Sequence, residues 1–163
     1  MFWKKKEQVN TEGFAWFSYT VMLPDTEDGE NEVTVIGNLT IKNTGNVVLN
    51  DPRICMRIKP PQGVHLGGKI GSATHTALSI DGTNTEAWHY FQDNWKETTK
   101  ETGEHWLKPN YCRQLQPNDN LTFANELRIS LTQEKKHVIV EGFFYCEEIK
   151  NGFSTLNNIM INL

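Results

Sequence analysis

Aromatic side chains are the reactive surface this sequence concentrates most. Three of its five tryptophans, Trp88, Trp95 and Trp106, fall between residues 71 and 112, with Phe91 and Tyr111 among them. Flat aromatic faces bind sugar rings or peptide prolines by apolar stacking, and Gln92, Asp93 and Asn94 could add hydrogen bonds. The same rings have a second possible use. A connection of roughly forty residues needs apolar anchors to become ordered, and five rings supply them.

Other reactive groups are present without a recognisable pattern. The histidines are His65, His75, His89, His105 and His137, and no H-x-H or H-E-x-x-H spacing joins them. His75, His89 and His105, with Glu86 or Glu104, would make a zinc set only if their segment folded back on itself. A thiol nucleophile would need Cys112 beside His89 or His105, and Arg113 next to it would lower its pKa. The chain has no G-x-S-x-G, no phosphate loop and no dinucleotide fingerprint. Gly67-Gly68-Lys69 is glycine-rich but lacks the phosphate-loop spacing. Asp93 and Glu97 stand at i, i+4, which on a helix is an ordinary solvated pair. The acidic run Pro24 to Asn31 lacks the glycine and terminal glutamate of a calcium loop in register. No cofactor and no metal are expected, and the chain is not expected to be an enzyme.

Charge and composition narrow the class. The chain has 163 residues, a formal charge of -4, and sixteen each of Asn and Thr. An acidic surface does not attract nucleic acid or anionic membrane as a whole. Lys4 to Lys6 and Lys135 to His137 are short basic patches of the kind found at termini and turns. No apolar run approaches the roughly 18 to 20 residues needed to cross a bilayer. Met1 to Lys6 is basic, but no apolar segment with a cleavage site follows, so a cytoplasmic chain is expected. Three widely spaced cysteines, Cys55, Cys112 and Cys146, fit buried thiols better than a disulfide framework, with one disulfide plus a free thiol as the alternative.

The elements that must position these groups read as short strands. Residues 1–12 form a polar, mobile lead, and 13–163 one domain. Phe14 to Leu23 has two partly apolar faces. Glu32 to Lys42 puts Val33, Val35, Leu39 and Ile41 on one face, which is the period-two strand signal. Asn43-Thr44-Gly45-Asn46 is a turn of residues that tolerate positive φ. Ile54, Met56 and Ile58 alternate with the basic side chains Arg53, Arg57 and Lys59, and Cys55 lies on that basic face. Residues 62–71 form a short edge strand or loop. Leu121 to Thr132 is the clearest alternation. His137 to Cys146 follows, with Cys146 on the face of Val138, Val140 and Phe144. If that face is the core, Cys55 and Cys146 point to opposite sides and a disulfide between them is disfavoured. Asn151-Gly152 is a hairpin turn before Phe153 to Leu163. In 71–112, Trp88, Phe91 and Trp95 recur at i, i+3 and i+7, which predicts a short helix over 86–101 with Asn84-Thr85-Glu86 at its start. The same AWHYF run also suits a strand.

About seven strands with turns between them predict an all-β, two-sheet antiparallel sandwich with an irregular or partly helical insertion at 71–112. The run Leu39 to Asn46, then Pro52, and later Leu115-Gln116-Pro117-Asn118-Asp119, resembles bacterial immunoglobulin-like accessory domains of the CARDB type. Those carry a strand ending in N-T-G and a later L-x-P-G-x turn, where this chain has Asn118 in place of Gly. The resemblance covers 32–60 and 113–163, and implies a module that carries, spaces or binds. The expected function is therefore non-catalytic protein–protein recognition or assembly, with a protein partner or a second copy. The aromatic segment and the strand at 14–23 are the expected contact surfaces. A carbohydrate-binding module using Trp88, Trp95 and Trp106 is the first alternative, and a small hydrolase with its site under the insertion is the second. Two coplanar exposed tryptophans would mark the first of these. A concave pocket with converging titratable groups would mark the second. An unpaired apolar edge strand would mark an assembly module.

Overall fold

Alternating apolar residues become strands wherever the sequence alternates most cleanly. The computed structural model describes residues 7–73, 86–132 and 136–163. Lys4 to Lys6, His75, Asn84, Thr85 and Lys135 lie outside these. In chain order the elements are β1 (Gly13–Met22), β2 (Glu32–Asn43), β3 (Leu49–Asn50), β4 (Arg53–Lys59), β5 (Val64–Gly68), β6 (Trp88–Tyr90), α1 (Trp95–Thr102), β7 (Glu104–Pro109), β8 (Gln114–Leu115), β9 (Asn120–Ser130), β10 (His137–Tyr145), β11 (Phe153–Ser154) and β12 (Ile159–Asn162).

The described residues are predominantly β, with three sheets and one short helix. A four-stranded sheet has the order β1-β2-β9-β5. A six-stranded sheet has the order β11-β10-β4-β7-β6, with β12 also on β10. The pair β3-β8 is the third sheet and adds Leu49 and Leu115 to the core. The named pairs are antiparallel, so the apolar face of each long strand turns one way. Val33, Val35, Leu39 and Ile41 of β2, Leu121, Phe123, Leu127 and Ile129 of β9, and Val138, Val140 and Phe144 of β10 are all buried, as their spacing predicts. With Ile54, Met56 and Ile58 of β4 they form a single cluster, so the two larger sheets share one core.

The described part of the segment 71–112 is partly helical, as expected, and the AWHYF run takes its strand alternative at Trp88–Tyr90. It is not a helical insertion over 86–101. Its first described part is the strand β6, and its helix, α1, is eight residues long. Its described residues also supply β6 and β7, two strands of the larger sheet, with β7 paired to β4. Trp88 and Trp95 therefore do not share a helical face. Spacing of i, i+7 carries no such meaning when the chain is extended at the first residue and helical at the last.

Two turn motifs meet in the fold. The Asn43 N–H donates to the Asp119 carbonyl (3.1 Å), and the Asn118 N–H donates to the Asn43 carbonyl (2.8 Å). The Asn43 side chain, fully buried, donates from Nδ2 to the carbonyls of Val47 (2.8 Å) and Leu115 (2.9 Å) and accepts from the Gly45 N–H (3.0 Å). The 43–46 turn contains no positive φ. Gly45 is needed there for a different reason: a Cβ would collide with the Asn10 carbonyl. Residues 8–12, expected within a mobile lead, pack along this turn. Asn10 and Asn46 exchange main-chain and side-chain hydrogen bonds, and the Glu12 carbonyl accepts from Thr44 and Gly45. Asn118 has φ 68°, the left-handed region in which glycine is the least strained residue.

Candidate functional site

The five aromatic residues singled out by the sequence separate into different environments. Trp88 is a core residue with no exposed surface, a correction to its expected contact role. Its ring lies 5.4 Å from that of Phe123, and its Nε1 donates to the Thr122 carbonyl at 3.2 Å. β6 places it opposite Pro109 on the inner face, where its large apolar ring is most favourably used. Trp95, at the start of α1, stacks on Tyr90 at 4.1 Å and 6°. Phe91 carries the Lys108 ammonium 4.9 Å above its ring. Trp106 lies on the outer face of the six-stranded sheet, 5.3 Å from Tyr145 and tilted 38° to it, with Nε1 donating to Glu104 at 3.2 Å. Tyr111 is exposed in the loop after β7, where the N–H groups of Tyr111 and Cys112 both donate to the Glu86 carboxylate.

The outer face of the six-stranded sheet joins Trp106 to a charged ladder. Cys55 sits in register between Phe143 and Trp106 and is almost fully buried beneath that face. Burial, with the nearby Glu104 charge, pushes its thiol up to about 12. The Arg57 guanidinium stands 4.9 Å over the Phe143 ring and 3.3 Å from Glu141. Lys59 is 2.8 Å from the same carboxylate. The hydrogen bond from Lys59, then that from Arg57, holds Glu141 below the usual carboxylate range against the opposing effect of burial. Half-exposed pairs of this kind contribute about 1 kcal/mol or less each.

A cleft of about 310 Å³ opens beneath α1. Its walls come from the loop before β5 (Pro61), β5 (Val64, His65, Leu66), β6 (Tyr90), α1 (Trp95, Lys96, Thr99, Lys100) and β7 (His105). His105 is buried on the inner face of β7, and its Nδ1 shares a 2.7 Å hydrogen bond with the Tyr90 hydroxyl. Burial, with a smaller contribution from the His65 charge, lowers His105 to about 4, so its ring is uncharged at neutral pH. Burial raises the Tyr90 phenol above its ordinary value. No spacing in the sequence joins this group. Its members come from four separated elements, and the one local signal was the like-charged pair Lys96 and Lys100 at i, i+4.

The remaining candidates do not converge. His89 is hydrogen-bonded to Asn110 and His137 to Asn162, while Cys112 lies beside Glu86 rather than a histidine. No group of three or more potential metal ligands occurs among the described residues. All three cysteines are free, with Cys146 in the core and Cys55 on the opposite side of its sheet. Gly68 has φ 112°, and a Cβ there would approach Asn125 Cα at 2.7 Å, so glycine at 68 serves the close contact with β9. Among the described residues no helix is long and apolar enough to cross a membrane.

β1 is the last surface of note. It forms the edge of the four-stranded sheet and pairs with β2 without a bulge from Gly13 to Met22. Among the described residues, its outer edge is covered only at its start. The Leu156 N–H donates to the Ala15 carbonyl, and the Asn157 side chain takes both the N–H (2.7 Å) and the carbonyl (2.9 Å) of Phe17. By alternation the main-chain groups of Tyr19 and Val21 point the same way, and they have no partner among the described residues. Tyr19, Val21, Met22 and Leu23 are exposed, Leu23 at 76 %.

Comparison with known proteins adds only general context. No family model matches the chain, and no curated protein matches it. Among solved structures it is similar to AvmM, described as catalysing macrocyclization in alchivemycin A biosynthesis, with 13% identity, a TM-score of 0.48, and coverage of 99% of this chain and 95% of that one. It is also similar to a collagen-binding domain from a Staphylococcus aureus adhesin, with 15% identity, a TM-score of 0.43, and coverage of 92% of this chain and 97% of that one. One of these is an enzyme and the other an adhesin domain, and at this level of similarity they select neither role for this chain.

Proposed function

We propose that this chain is a non-catalytic, immunoglobulin-like assembly module that pairs with a second copy of itself along the free edge of β1. The observation that carries the reading is the open stretch Ser18 to Leu23. Exposed edge strands are ordinarily blunted by lysine, proline, a bulge or a cover. Among the described residues this stretch has none of these before Pro24, and it contains no charged residue. A twofold pairing of two such strands therefore brings no like charges together. The Asn157 side chain, occupying Phe17, limits the register. Antiparallel pairing centred on Thr20 puts Tyr19 of each copy opposite Val21 of the other, with on the order of four main-chain hydrogen bonds.

The other readings have less support. A sugar platform needs two coplanar exposed tryptophans, whereas Trp88 is buried, one face of Trp95 is covered by Tyr90, and Trp106 is tilted against Tyr145. A hydrolase needs a nucleophile beside a base, and Cys112 has no histidine partner among its hydrogen bonds.

Sedimentation velocity across a concentration series tests the proposal. Wild type should form dimers as concentration rises. Val21→Pro removes an outward N–H without touching the β2 ladder, and Val21→Lys adds a charge to the seam; both should sediment as monomers with unchanged near-UV circular dichroism. A wild type that stays monomeric at every concentration overturns the proposal, as does a dimer that survives both substitutions.

A further inference from the structure

The cleft beneath α1 lies away from the β1 edge and has a chemistry of its own. Its two formal positive charges are Lys96 and Lys100, one turn apart on the same helix. Like charges at this spacing repel and weaken a helix. Neither ammonium has a carboxylate within 4.0 Å among the described residues. Glutamates are available on α1, at Glu97 and Glu101, but they do not line the cleft. The helix thus separates its charges, basic toward the cleft and acidic elsewhere. Among the described residues, no Asp or Glu lines the cleft from any other element.

Beneath the lysines the walls are apolar and flat. Trp95 and Tyr90 stack on each other at 4.1 Å, the Lys96 ammonium stands 5.6 Å from the centre of the Trp95 ring, and Val64, Leu66 and Pro61 complete the surface. The Tyr90 hydroxyl is already engaged with His105 Nδ1, which fixes both rings. The titratable and charged groups that face this space are His65 from β5, Tyr90 from β6, Lys96 and Lys100 from α1, and His105 from β7. A volume of about 310 Å³ is at the lower end for small-molecule sites, which restricts the occupant to a compact molecule.

From the paired lysines beside an aromatic and aliphatic wall, we infer that the cleft binds a small organic anion with a flat apolar body, its negative group at Lys96 and Lys100 and its body against Pro61, Val64 and Leu66, next to the edge of the Trp95–Tyr90 stack. The acidic balance of the chain as a whole does not oppose this, because the described lining residues carry only basic charge. The inference is independent of the β1 pairing, since the two surfaces share no residue.

Titration followed by ¹H–¹⁵N NMR tests it with three probes: 3-phenylpropionate, its neutral analogue 3-phenylpropanol, and inorganic phosphate. The carboxylate should cause saturable shifts at the Trp95 indole N–H and at the amides of Lys96 to Lys100. The neutral alcohol and phosphate should each bind at least about tenfold more weakly. Lys96→Gln combined with Lys100→Gln should weaken the carboxylate about tenfold and leave the alcohol unchanged. Both positions are exposed and remote from the core, so the variant retains its fold, and its unperturbed Trp88 indole resonance verifies this. Three results would overturn the inference: no saturable shift with the carboxylate, equal binding of the alcohol or of phosphate, or undiminished carboxylate binding by the double variant.

Discussion

Replacing Asn43 by alanine should be among the most damaging single changes in this chain that create no large cavity. The side chain is completely buried and makes three hydrogen bonds, of 2.8, 2.9 and 3.0 Å, to Val47, Leu115 and Gly45. Each is worth about 0.5–1.5 kcal/mol net, and stranding a buried carbonyl adds to the loss. Leu115 is itself buried, so water cannot readily replace the amide there. The expected cost is about 3 kcal/mol. Asn43→Asp separates hydrogen bonding from volume. It keeps the shape but turns an oxygen toward two carbonyl oxygens, so it should cost at least as much as alanine. Urea unfolding followed by tryptophan fluorescence provides the assay. With a slope near 2 kcal/mol/M the midpoint should fall by about 1.5 M. If both variants unfold within about 0.3 M of wild type, the side chain is not the clasp between the two turns and the reasoning fails.

Three further outcomes follow from the geometry. Asn118→Gly should leave stability within about 1 kcal/mol of wild type or raise it, whereas Asn118→Val should cost about 1–2 kcal/mol, because a β-branched residue is strained at φ 68°; thermal melts distinguish them. His105 binds its proton more weakly when folded, at about 4 against 6.5 unfolded, so the unfolded chain takes up a proton first as pH falls. Its contribution is fully present above pH 6.5 and is lost progressively toward pH 4, by up to about 3 kcal/mol, and His105→Gln should flatten that part of the stability profile measured by denaturant titration. Trp88→Ala should destabilise by about 3–5 kcal/mol and Trp106→Ala by much less, a reversal of their equal standing as surface aromatics in the sequence, readable by calorimetry.

The long strands were legible because one residue in two faces the core, and in β2, β9 and β10 that residue is almost always Val, Ile, Leu or Phe. β7 was not legible. Its inward residues are His105, Leu107 and Pro109, and two of those three give no strand signal. At β6 the sequence left helix and strand open, because Trp88, Phe91 and Trp95 satisfy a helical period by coincidence, and only pairing with β7 reveals Trp88 as a core residue. The turn at 43–46 was visible as a turn, but the role of Asn43 was not. Its partners Leu115, Asn118 and Asp119 lie more than seventy residues away, and local chemistry carries no trace of such contacts. The cleft was hidden for the same reason, since His65, Tyr90, Lys96 and His105 are joined by topology alone.

The position of Cys55 makes it a built-in clock for the opening of the six-stranded sheet. Its thiol sits at the centre strand, between Phe143 and Trp106, protonated and out of reach of reagent. A disulfide reagent can meet it only after β4 has lost a neighbour. Cys112, half-buried in the loop before β8, needs no such event. The interval between modification of the two thiols therefore measures how often the sheet separates, a lifetime that equilibrium unfolding does not report.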